Sequence, residues 1–156
     1  MAQYVFRFVI YTVTGLSLEV IFSVLGIELA LGKKIDRRCP NKYLEGFVSL
    51  YMIPVHGLGV LLLFEPMYFA IAKWNIGLRY LVWSCSFVMA ETVAGFIMDK
   101  LLGFFPWDYY ASSRFRVTSR GYSLWTLLPL WGIYGLLLEM LVRILVGVSP
   151  CVSSFI

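Results

Sequence analysis

Residues 78–102 read LRYLVWSCSFVMAETVAGFIMDKLL, with Arg79 near one end, Asp99 and Lys100 near the other, and Glu91 the only acid between. A helix rises about 1.5 Å per residue, so a stretch of this length covers the roughly 30 Å apolar core of a bilayer. Three other stretches have the same character: Tyr4 to Leu31, Phe47 to Ala72 and Leu124 to Val148. Together they predict an all-α integral membrane protein, one domain over residues 1–156 with spans at about 4–31, 47–72, 78–102 and 124–148. The first stretch is too long for a signal-peptide core, lacks a small-residue cleavage site and carries Glu19, so it reads as a retained span.

The composition agrees. Of 156 residues, 60% are hydrophobic, 17% aromatic and only 14% charged, too little charge to cover a soluble domain of this size. The net charge of +4 does not indicate nucleic acid, because the basic residues lie in short segments between apolar runs. Cys39, Cys85 and Cys151 are far apart, form no metal-ligand spacing and, being odd in number, no disulfide framework. Cys85, inside an apolar run, is expected to be a small buried hydrophobe. Cys39 is expected to be a plain loop thiol.

The basic residues read as topology signals. Lys33, Lys34, Arg37, Arg38, Lys42, Lys100, Arg114, Arg116 and Arg120 fall on one side, and Arg7, Lys73, Arg79 and Arg143 on the other. That asymmetry predicts loops 33–46 and 103–123 in the cytoplasm and both termini outside; Arg7 and Arg143 lie close to span ends, from which such side chains can snorkel. Lys73 to Gly77 reads as a tight turn. The loop after the third span mixes aromatics with Arg114, Arg116 and Arg120, which suits a segment lying at headgroup level.

The second and fourth spans share a pattern. Pro54-Val55-His56-Gly57 followed by Glu65 parallels Pro129-Leu130-Trp131-Gly132 followed by Glu139. Glu19 precedes Glu91 by about half the chain, and Glu28 precedes Asp99 likewise. The expectation is two repeated hairpins entering the membrane from the same side.

Glu19, Glu65, Glu91 and Glu139 are the anomaly, since a charge at bilayer depth costs about 2.5–3.5 kcal/mol on insertion scales. They are expected near mid-membrane, where with His56 they can converge on one polar centre. Such a centre either does chemistry or holds the helices together by hydrogen bonds to donors such as Thr12, Ser17, Tyr51, Ser84 and Tyr134. There is no Glu-x-x-His pair and only one histidine, so neither a metal nor a cofactor is expected. Gly57, Gly59, Gly132 and Gly135 are small residues that let helices approach closely. Trp107, Asp108 and Tyr109 form a headgroup-level motif, either a cap on the third helix or an aromatic-belt anchor. No nucleotide-binding or hydrolase motif is present.

These residues carry a resemblance. Gly15-Leu16-Ser17-Leu18-Glu19 with Phe22, then His56-Gly57 through Glu65-Pro66-Met67-Tyr68, resemble the first two helices of the transmembrane protein 229 family and its bacterial relatives labelled ABC-transporter type IV membrane proteins. Glu91 with Gly95-Phe96-Ile97 and Pro106-Trp107-Asp108-Tyr109 is similar to that family's most specific motif, and Gly121, Pro129, Trp131 and Glu139 fit its last helix. Thr14 stands where the family often has histidine, and Tyr110 where a serine usually follows the tyrosine. The resemblance implies a four-helix membrane fold and little about activity. Three functions follow in order of expectation: a small membrane subunit or lipid- and partner-binding module; a permease-like transport component with a proton, cation or substrate path; and an enzyme acting on a lipid or isoprenoid through Glu91 and Asp108. Membrane lipids and a protein partner or second copy of the chain are the expected partners.

Overall fold

Two prolines decide where the second and fourth long apolar helices begin. Proline donates no N–H and its ring clashes with the carbonyl four residues back, so it belongs in a helix's first turn. In the computed structural model, which describes residues 1–36 and 43–153, α2 (Met52–Ile71) starts two residues before Pro54 and α4 (Leu128–Ser153) one residue before Pro129. The expected start of the second span at Phe47 is therefore corrected. Residues 46–49 instead run beside the first helix, where the Phe47 N–H donates to Ser23 Oγ at 2.9 Å. Gly46 lies there so close to the Val20 carbonyl that an added Cβ would sit 2.7 Å from it.

The first helix, α1 (Ala2–Leu25), is continued past Gly26 by a short turn of helix, Ile27–Leu31, closed by Gly32 in the left-handed conformation. The third, α3 (Ile76–Leu102), is N-capped by Asn75, whose side chain accepts from the Leu78 N–H at 2.9 Å. The tight turn expected at 73–77 is this cap. Cys39 and the basic residues Arg37, Arg38 and Lys42 lie outside the described residues.

All four helices are long and apolar enough to cross a membrane, and no strand occurs among the described residues. Helix α1 packs on α2 and α4, and α3 packs on α4. Only 22–33% of the residues in each apolar window are buried within the protein. Val5, Val9, Val13 and Ile21 on α1 all point outward, a pattern that suits lipid rather than water. Cys85 corrects an expectation: it is exposed, beside Val88 and Met89 in an outward-facing apolar groove. The sequence showed that its neighbours were apolar but not which face of α3 it occupied.

Helix α2 widens into a π-type turn over Val60–Phe64. Pro66 lies two residues beyond; it cannot bond the Leu62 carbonyl and its ring pushes that carbonyl aside, so the turn opens. Eight residues separate Gly57 from Glu65. At about 100° per residue a regular helix would carry Glu65 some 80° away from the face Gly57 occupies. The wider turn brings both to α1.

The segment between α3 and α4 folds back over one end of the bundle. Phe105, Trp107, Tyr110 and Tyr122 are buried there against Ile27, Leu31 and Met52. Ser113 Oγ donates to the Leu31 carbonyl at 2.9 Å and Thr126 Oγ1 to the Ala30 carbonyl at 2.6 Å. These bonds satisfy carbonyls that a helix end leaves unpaired. Gly121, at φ +76°, turns the chain where a Cβ would collide with the Ala111 backbone.

Candidate functional site

The glutamates occupy two layers rather than one centre. In the first layer, Arg7 Nη1 lies 3.1 Å from Glu65 Oε1, while Tyr11 Oη donates to Glu65 Oε2 at 2.8 Å. Across the bundle, Arg79 Nη1 lies 2.9 Å from Glu139 Oε2, while Trp83 Nε1 donates to Glu139 Oε1 at 2.7 Å. In each case an arginine and an aromatic donor stand one turn apart on the first helix of a pair and grip both oxygens of a carboxylate on the second. Arg7, Glu65 and Glu139 are buried. Burial of this kind holds two charges only when further hydrogen bonds complete the geometry, and the tyrosine and tryptophan supply them. Arg7 Nε and Arg79 Nε are buried with no hydrogen-bond partner among the described residues.

Close helix approach makes these contacts possible. A Cβ on Gly57 would overlap Phe8 and Thr12 of α1, and one on Gly132 or Gly135 would overlap Tyr80 or Trp83 of α3. The glycines therefore set the distance across which each arginine reaches its acid.

The second layer lies toward the covered end. Glu19 is eight residues beyond Tyr11, about 12 Å along α1. Glu19 Oε2 lies 3.0 Å from His56 Nε2, with both side chains 20% exposed. His56 sits over Gly15, where any Cβ would overlap the ring. Glu91 Oε2 accepts a 2.5 Å hydrogen bond from Ser123 Oγ, a residue of the covering segment, and is flanked by Trp131 and Tyr110. Burial, with the charges of Glu91 and Glu19 nearby, keeps the Tyr110 phenol well above its usual pKa. Tyr109 is held up by burial first and then by Glu19, Glu91 and Asp108. Both phenols therefore stay protonated in the physiological range.

Between the layers stands an aromatic plug. The Phe87 ring lies 4.1 Å from Phe64, 5.2 Å from Trp131 in a stacked pose and 5.0 Å edge-on from Tyr134, centroid to centroid. Phe87 is one turn from both Trp83 and Glu91, so along α3 it stands between the Glu139 contacts and the Glu91–Ser123 pair.

Of the headgroup-level motif, Trp107 is buried and donates from Nε1 to the Tyr122 carbonyl at 2.8 Å, so its ring caps the bundle instead of anchoring outward. Tyr109 is partly buried and Asp108 exposed. At the rim, Arg120 forks onto Asp99 at 2.8–3.2 Å, and Tyr122 Oη donates to Asp99 Oδ2 at 2.7 Å. The hydrogen bond to Asp99 raises the Tyr122 phenol, and the same carboxylate raises the Arg120 guanidinium.

Sequence reading missed Arg7, Tyr11, Arg79, Trp83 and Ser123 as partners of the acids. The available signal was the matched spacing of Arg7 to Tyr11 and Arg79 to Trp83. Among the described residues, no group of three or more His, Cys, Asp or Glu is placed to hold a metal ion. Comparison with protein-family models, curated proteins and solved structures yields no match.

Proposed function

We propose that this protein is a small multi-pass membrane subunit that binds lipids and a partner, its membrane glutamates acting as interhelical fasteners. The observation that carries this reading is that each of Glu19, Glu65, Glu91 and Glu139 is engaged by a group from another segment of the chain. The Phe87 plug adds to it, because a path for ions would need the two polar layers to communicate.

The two hairpins are copies of one unit in this reading. Seventy-two residues separate Arg7 from Arg79, Tyr11 from Trp83 and Glu19 from Glu91, while seventy-five separate Pro54, His56 and Gly57 from Pro129, Trp131 and Gly132. Glu65 and Glu139 are seventy-four apart, and the one-residue change falls in the π-type turn. His56 on Glu19 thus corresponds to Trp131 beside Glu91. The same reading places the chain with the transmembrane protein 229 family, puts the covering segment at the headgroup level and keeps both long loops cytoplasmic.

Transport is the second reading, favoured by the partial exposure of both Glu19 and His56. The test is purification in mild detergent followed by mass spectrometry of co-purifying proteins and lipids. Reproducible enrichment of a protein or lipid class supports the module; clean protein with neither overturns it.

A further inference from the structure

Arg143 is a cation on the outer face of α4, near the end of a sequence read as spanning the membrane. It is exposed, and its side-chain partner is neutral: Nε donates to Tyr68 Oη at 3.3 Å. No carboxylate pairs with it among the described residues. The register of α3 against α4 sets its height. Gly132 packs on Tyr80 and Ser84, Gly135 on Trp83, and Glu139 on Arg79. Four further residues along α4 bring Arg143 level with Asn75, the N-cap of α3, at the end of that helix.

A groove of 420 Å³ opens sideways at this level, lined by Ile76, Arg79, Leu136, Met140 and Arg143, with Glu139 on its wall. Glu139 compensates Arg79, so the groove keeps one net positive charge. From it an apolar stripe runs inward along α4: Met140, Leu137 and Ile133 are 63%, 58% and 54% exposed at three- and four-residue spacing. Arg143 to Ile133 is ten residues, about 15 Å, which is half the apolar thickness of a bilayer. A cation at the helix end with a greasy track one leaflet deep fits an anionic headgroup joined to an acyl chain. A free anion would leave the track unused.

We propose that this groove binds an anionic phospholipid, its phosphate on Arg143 beside Arg79 and one acyl chain along Met140, Leu137 and Ile133. The assignment deepens the binding-module reading and rests on it. The charge next to a headgroup is worth about a fivefold preference over a zwitterionic lipid.

The test is native mass spectrometry of the detergent-solubilised protein given equal amounts of phosphatidylglycerol and phosphatidylcholine. Wild type is expected to retain phosphatidylglycerol about fivefold over phosphatidylcholine, R143Q to show no preference, R143K to keep most of it, and R114Q on the covering segment to match wild type. M140E, which supplies Arg143 with an acid one turn away, is a second variant that keeps the arginine and is expected to lose the preference. Equal retention by wild type, or an undiminished preference in folded R143Q or M140E, overturns the proposal. Loss of this preference while another lipid or a protein still co-purifies defeats the site alone; no enrichment of any kind defeats the module as well.

Discussion

Replacing Glu139 by Leu strips the acid from a buried pair and leaves Arg79 with no counter-charge. Exposure of the two side chains is 6% for Glu139 and 17% for Arg79, so solvent screens the pair little. Two scales compete for the cost. Interhelical hydrogen bonds in membranes average about 0.6 kcal/mol. Removing one member of a buried ion pair costs about 3–5 kcal/mol, because the remaining charge stays buried alone. The second scale governs here, so E139L and R79L are each expected to lose about 3–5 kcal/mol. The double variant R79L/E139L carries no orphaned charge; it removes the long 3.5 Å bond from Arg79 to the Ala72 carbonyl and leaves the Trp83 indole N–H without an acceptor, a cost of about 1–3 kcal/mol. The assay is reversible unfolding in mixed micelles of mild detergent and SDS, followed by far-ultraviolet circular dichroism. A double variant less stable than either single one, at the sum of their losses, refutes the ion-pair account of this layer.

Three further outcomes follow by the same assay or its simple extensions. E91Q keeps an oxygen acceptor for Ser123 and is expected within about 1 kcal/mol of wild type, whereas E91L orphans the buried Ser123 hydroxyl and loses about 1–3 kcal/mol. G135A forces a Cβ into Trp83 and is expected to cost about 1–3 kcal/mol, while G59A, with open space around it, costs nothing measurable. G121A introduces a side chain at a left-handed position against the Ala111 backbone, so limited proteolysis is expected to cut between 103 and 124 faster than in wild type.

The four spans were legible because long apolar runs leave few alternatives, and Pro54 and Pro129 sharpen the starts of the second and fourth to within a few residues once the preference of proline for a first turn is applied. Glu19, Glu65, Glu91 and Glu139 were legible because acids inside such runs are costly. Their partners were not. Arg7 and Arg79 carry the same charge as the loop cations and read as topology signals, and nothing local ties Arg7 to an acid fifty-eight positions away. The π-type turn hid the register as well: a regular helix would point Glu65 away from the Gly57 face. Likewise Trp107, an aromatic near a span end, is indistinguishable by composition from an interfacial anchor. Its burial follows from the return of residues 113–126 over the ends of α1 and α3, a long-range contact that no window of sequence contains.

The central claim is that the membrane glutamates are closed contacts on either side of the Phe87 plug, not stations on a path. Proteoliposomes loaded with a pH-sensitive dye test it directly under an imposed proton gradient and a potassium diffusion potential. The account predicts that wild type leaks no faster than protein-free vesicles and that E19Q and E91Q change nothing. Flux above the lipid background that E19Q or E91Q abolishes would contradict it.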